Sequence, residues 1–287
     1  VIEHPLQPFA RVAFDGSRAG VFTYRDEWRA VAAAGRSGLA RPFAQTGTAI
    51  DGADPVRRVT LDRLVVFWRN PARAFLRDTL HLDLYPADAP ADDDDPLALD
   101  ALANSKLKRV LVADALTSGV LPPREIDAAI QVRRQLPVGR AGADAYRQEA
   151  IGARQLAERI EAWRCDKTPL PTALFELELD DGWILECSLR QPYREGLLHW
   201  APGEARGHHW LRPWIEYLAL AAFASRSEAG FDAAVTCTHI ALDKKIGVVA
   251  SELRGLDAAG AREQLAALLR GYAEGQHARL AFFPKAA

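Results

Sequence analysis

The chain has 287 residues, 49% hydrophobic and 26% charged, with a formal net charge of -2. That composition suits one large folded domain or two small ones, and it excludes a global basic field for nucleic acid, so any such contact must come from a local patch. No apolar run reaches the roughly 18 residues that span a bilayer, which argues against a membrane protein.

The opening stretch, VIEHPLQPFARVAF, has neither the basic nor the apolar region of a signal peptide, and it does not begin with Met, which reads as a piece of a longer protein. Residues 1–35 read as an irregular arm, broken by Pro5, Pro8 and Gly16 and anchored by Phe9, Phe14, Phe22, Tyr24 and Trp28. From Leu61 the pattern becomes helical: Leu61, Leu64, Val65, Trp68, Ala72, Phe75 and Leu76 recur on one face, and Pro71 predicts a kink or two abutting helices. PADAPADDDDP, residues 86–96, reads as a solvated loop. Its run Asp92 to Asp95 lacks the EF-hand pattern of a calcium site. A helix over 97–119 ends at Gly119, a second over 122–136 starts on proline, LPVGRAG is a turn, and 143–165 is a long amphipathic helix. Residues 60–166 are thus expected to be mainly helical.

Near residue 171 the period switches to alternation. TALFELEL, WILECSLR and GLLHW read as three strands joined by turns at Asp181-Gly182 and Glu195-Gly196. A helix over 210–225 follows, then a hairpin of AAVTCTHIAL and GVVASEL around Asp243. A closing helix over 257–275 carries Leu265, Leu268, Leu269 and Tyr272 on one face, and LAFFP is a short apolar segment. Helices followed by a mixed sheet with helices over 171–287 predict an α/β (α+β) fold in a single domain, with no internal repeat or clear linker.

Several segments in order resemble the C-terminal domain of RecC, the gamma subunit of bacterial exodeoxyribonuclease V. They are EHPLQPF, FTYRDEW, LDRLVVFWRNPARAFLRDTL, PLALDALANSKLKRVL, LPVGRAGADAYRQEA, EGLLHWAP and LLRGYAEGQHARLAFFPK. The resemblance implies a PD-(D/E)XK nuclease-like mixed sheet flanked by helices and preceded by a helical region, with the active site lost. It implies a cytoplasmic subunit of the RecBCD helicase-nuclease, which processes double-strand breaks for homologous recombination. Its partners would be RecB-like and RecD-like subunits and DNA, with no small-molecule substrate. The domain's own role would be subunit contact and strand separation.

Two-metal phosphodiester hydrolysis needs carboxylates on adjacent strands, and a lysine beside them. Laid on this chain, the family's first acid falls at Arg190, and its D-x-K falls at His199, Trp200 and Ala201. A guanidinium repels a cation, an imidazole suits Mg²⁺ poorly, and alanine supplies no ammonium. The expectation is therefore a degenerate nuclease site at Arg190, His199 and Ala201, with no metal and no cofactor.

The alternative is an active Mg²⁺-dependent nuclease that uses Glu176, Glu178, Asp180, Asp181 and Glu186. The favoured reading of these is an outward-facing strand and a turn. Asp243-Lys244-Lys245, with Asp232 upstream, formally repeats D-x-K but reads as a hairpin tip. Asn70 precedes Pro71 where relatives of this superfamily carry an iron–sulfur cysteine, so no cluster is expected there. His208-His209 read as a polar loop and helix entry.

Arg69, Arg73 and Arg77 form a basic stripe at i, i+4, i+8 that either tracks phosphates or is a solvated, paired face. Arg69, Arg73, Arg77, Arg190 and Arg194 are the candidate DNA-binding residues. Trp28, Trp68, Trp183, Trp200, Trp210 and Trp214 read mostly as core. Cys165, Cys187 and Cys237 form no CxxC pair and read as buried thiols of a reducing compartment. No Walker, Rossmann or hydrolase-elbow motif is present in the sequence.

Overall fold

The structure, a computed structural model, describes residues 3–34, 57–82, 98–126, 136–225, 230–243, 245–278 and 280–284. The chain divides into two compact units, Val1–Gln45 and Thr46–Ala287. In the first, short 3-10 turns lead to helix α1 (Arg29–Ala34). Among its described residues Val21 and Ala32 are buried, while Phe22 and Tyr24 stay exposed. Those two expected anchors instead pack edge-on against each other, with ring centroids 5.3 Å apart.

The second unit begins with β1 (Arg57–Thr60), a strand the periodicity does not reveal, which runs straight into α2 (Leu61–Arg69). Thr60 caps α2 by accepting a hydrogen bond from the N–H of Arg63. The expected break at Pro71 is present. Asn70 leaves helical geometry, its side chain caps α3 (Pro71–Ala74), and a widened turn over Phe75–Thr79 completes the segment. Asn70 thus spends its oxygen on the N–H of Arg73. Helix α4 (Ala101–Ser118) starts four residues later than expected because Asp100 caps it, and it ends at Gly119 in the left-handed region. The helix expected over 122–136 shows no helical turn over residues 122–126, and residues 127–135 lie outside the described residues, as do the acidic loop and its aspartates. Helix α5 (Arg140–Arg164) absorbs the last three residues of the turn expected before it.

Strands β2 (Ala173–Glu178) and β3 (Trp183–Leu189) form the expected hairpin, with Asp181 and Gly182 both at positive φ. Then comes β4 (Gly196–Ala201), helix α6 (Gly207–Ala224), the hairpin of β5 (Thr236–Asp243) and β6 (Gly247–Leu253), and helix α7 (Ala258–His277). The fold is mixed α/β, as expected. The sheet, however, is two sheets: β1-β3-β2 and β4-β5-β6, each with one parallel and one antiparallel pair.

The three strands read as one meander are therefore split between β3 and β4. The ladder stops where Gln191 adopts positive φ and Pro192 offers no N–H, and the chain reverses in the turn Tyr193–Gly196. Gly196 is obligatory there. Its φ is +144°, and a Cβ would collide with the carbonyl oxygen of Thr236 on β5.

The main core joins α2, β3, α6 and α7 through Leu64, Leu185, Ile215, Leu218 and Leu269. A second core under the other face of β5 joins α4 and α5 through Val112, Leu156, Ile160 and Ile240. β4, α6 and β5 form a parallel strand–helix–strand crossover, so the N-terminus of α6 sits at the carboxyl edge of that strand pair.

Candidate nuclease-like site and nucleic-acid interface

Alternation along β4 and β5 decides which side chains meet. Leu197 and Cys237 face the main core, whereas Leu198 and Ile240 face the second. His199 and His239, aligned in register, therefore share the side covered by α6. His199 Nε2 donates to Glu216 Oε2 at 3.1 Å. Glu216 Oε1 accepts from Arg212 Nη1 at 2.7 Å, and that nitrogen also reaches Asp62 Oδ1 at 2.8 Å.

A polar chain thus runs from β4 through α6 to α2. The Glu216 side chain is 12% exposed. Burial alone would push its carboxyl up, but the hydrogen bonds and charges of His199 and Arg212 outweigh it and hold the group below its ordinary value. Burial lowers Arg212, and its bonds to Glu216 and Asp62 more than reverse that. His239 is 3% exposed, its Nδ1 has no hydrogen-bond partner, and its ring lies 4.7 Å from that of Trp210. Burial, with the nearby charges of His199 and His209, pushes it down to about 4.

The residual carboxylates are partly gathered. Glu176 and Glu186 face each other across β2 and β3, and with Asp62 they line an open hollow of about 560 Å³. Arg58 Nη1 lies 3.0 Å from Glu176 and 3.1 Å from Glu186, so one guanidinium from β1 bridges both and offsets one of their two charges. Glu178, Asp180 and Asp181 belong to the end of β2 and the turn. Among the described residues no group of three or more His, Cys, Asp or Glu is arranged to hold a metal ion. Asp243 accepts from the N–H groups of Lys245 and Ile246 at 2.7 and 3.1 Å, the work of a hairpin tip, and these bonds lower its pKa. Asp232 pairs with Arg194 at 3.1 Å.

The five candidate DNA-contacting arginines are dispersed. Arg77 bonds its neighbour Asp78, and Arg194 holds Asp232 just before β4 starts. Arg190 is exposed at the end of β3. Arg69, at the end of α2, lies instead near His209, past the opposite end of β4. His209 is held below its ordinary value by burial first and then by the charges of Arg206, Arg69 and Arg109, while the Glu204 backbone carbonyl works the other way.

Arg109 and Arg206 were not singled out from the sequence. Arg109 lies on α4, 5.8 Å from the ring of Trp200, and only the packing of α4 beside β4 brings it here. His208 and His209 sit in the first turn of α6, the expected helix entry, with their ring centroids 3.9 Å apart. Of the six tryptophans read as core, Trp183 is buried and the others are half-buried. Cys187 and Cys237 are buried free thiols, but Cys165 is exposed because α5 ends at Arg164.

The sequence model of the family described as RecC C-terminal domain matches residues 56–287. The chain belongs to that RecC C-terminal domain family. It is also 27% identical over 235 residues to the RecBCD enzyme subunit RecC of Escherichia coli (strain K12), covering 79% of this chain and 19% of that relative. The chain thus spans about a fifth of the length of that RecC relative. The family match covers both sheets and the polar chain from Asp62 to His199. No helix among the described residues is long and apolar enough to cross a membrane.

Proposed function

We propose that this RecC-family domain is a nuclease-shaped element without a nuclease centre of its own. On this reading it serves assembly and DNA guiding, including strand separation, in a cytoplasmic RecBCD-type helicase-nuclease that acts in recombinational repair of double-strand breaks. Its partners are RecB-like and RecD-like subunits and DNA. The element order of helix, three strands, helix and strand from α5 to β5 supports a PD-(D/E)XK ancestry.

The observation that carries the non-catalytic reading is how the charges are spent. The acids opposed across β2 and β3 are both engaged by Arg58, whose guanidinium occupies the place between them, and His199 is tied to Glu216. Arg190 and Ala201 supply neither carboxylate nor ammonium at the other two positions. The second reading is a Mg²⁺-dependent nuclease built on Asp62, Glu176 and Glu186, favoured by the hollow those three line. The test incubates the purified chain with single- and double-stranded DNA and Mg²⁺ or Mn²⁺. No cleavage is expected. Cleavage that Glu186→Ala or Asp243→Ala abolishes would sink the non-catalytic reading.

A further inference from the structure

We propose that the carboxyl edge of the β4–β5 pair, where Arg69, Arg109 and Arg206 converge on the first turn of α6, binds the phosphodiester backbone of a nucleic-acid strand. The site rests on the DNA-guiding reading above and gives it residues that the linear arginine stripe does not.

The three guanidiniums come from α2, α4 and the residue before α6. Asp62 bound to Arg212 lays α2 against α6, so Arg69, about two turns further along, comes abreast of His209. Among the described residues neither Arg69 nor Arg109 is in an ion pair. Arg206 has only Glu204, at 3.9 Å with both side chains largely exposed, a contact worth little in water.

The helix end adds to this field. At the start of this 18-residue helix the dipole places positive charge, and the His209 side chain accepts from the Arg206 N–H at 3.1 Å. Beneath the same turn lies His239, almost wholly buried with Nδ1 unpartnered against Trp210.

Arginines that are unpaired or only weakly paired among the described residues, beside the positive end of a helix dipole, favour an anion. Half-buried Trp200, which carries Arg109 over its ring, and Trp210 favour an anion that brings flat bases with it, hence nucleic acid rather than an acidic peptide.

The test uses the 287-residue chain and a fluorescein-labelled oligo-dT strand, read by anisotropy between 50 and 200 mM salt. Each phosphate contact contributes about 0.7 to the slope of log K against log salt for a single strand, so Arg109→Ala with Arg206→Ala should lower it by about 1.4. Both residues are exposed, so circular dichroism should stay unchanged. In the wild type, adding oligo-dT should raise the pKa of His209, followed by NMR.

An unchanged slope and an unmoved His209, with binding lost instead in Arg190→Ala plus Arg194→Ala, overturns this site and leaves the DNA-guiding reading standing. No binding at 50 mM salt overturns both. Displacement by poly-glutamate as effective as by unlabelled oligo-dT overturns the phosphodiester assignment.

Discussion

Replacing His239 with phenylalanine should remove a large part of the domain's acid sensitivity. The imidazole is 3% exposed, faces Trp210, and has the chargeable groups His199 and His209 near it. Its folded value is pushed down to about 4, against 6.5 in an unfolded chain. A histidine depressed by folding is neutral in both states above pH 6.5. As pH falls from there, the unfolded chain takes up a proton that the folded one refuses, and stability is lost until about pH 4. At 1.36 kcal/mol per pH unit the loss is about 2.5 kcal/mol by pH 4.5.

Urea denaturation of wild type and His239→Phe at half-unit steps from pH 7.5 to 4.5, with slopes checked for constancy, measures this directly. His209, also depressed, stays in both proteins, and the Glu216 contribution lies below that window, so the difference isolates His239. The ring swap nearly preserves volume and removes the unpartnered Nδ1, so at pH 7.5 the variant should differ by less than about 1.5 kcal/mol. Parallel pH profiles for the two proteins would refute the reasoning.

Glu216→Gln should cost about 2 kcal/mol at pH 7 by urea denaturation, because it leaves Arg212 half-compensated. That cost should shrink below about pH 4.5, since a depressed carboxylate stabilises above its unfolded value and loses the effect as it protonates. Arg58→Ala should lower stability in urea denaturation, with Glu176→Gln restoring part of it, since two exposed acids then face each other across a ladder. Gly196→Ala should cost about 3 kcal/mol or more by the same assay, because the new Cβ meets the carbonyl of Thr236. Cys165 should react at once with a thiol reagent. Cys187, pushed up to about 12 by burial, and Cys237 should react only as the chain unfolds.

What could be read from the sequence followed how locally each feature is encoded. The break at Asn70-Pro71, the stop at Gly119, the Asp181-Gly182 turn and the apolar face of α7 each depend on a few adjacent residues, and each is where the pattern puts it. β1 was invisible because four residues, RRVT, carry one buried side chain, and the strand exists only by lying parallel to β3. The division into two sheets was invisible for a related reason. A strand's alternation shows that it has two faces but not which neighbour it chooses, and Gln191-Pro192 breaks the ladder that adjacency suggested. At the site, His199 was found by register, but its partner Glu216 lies in a helix whose apolar pattern gave no hint of a buried acid. Arg109 and Arg206 belong to separate stretches of sequence that only the crossover around α6 brings near Arg69.

The polar chain has a structural part to play in joining the two sheets. Asp62 follows β1 of one sheet, His199 belongs to β4 of the other, and Arg212 and Glu216 on α6 join them. The two sheets share no ladder, so α6 is their common support, and a mostly buried ion pair is a directional link where apolar packing would allow sliding. The same link, through Asp62, ties α2 to α6, and Arg69 at the far end of α2 lies near the helix start. If so, Glu216→Gln should do more than destabilise. With the chain still folded at low urea, it should weaken oligo-dT binding through Arg69 although Glu216 touches no phosphate, and Glu216→Asp should restore part of it. Binding that is unchanged in a measurably destabilised Glu216→Gln would show that the link serves stability alone.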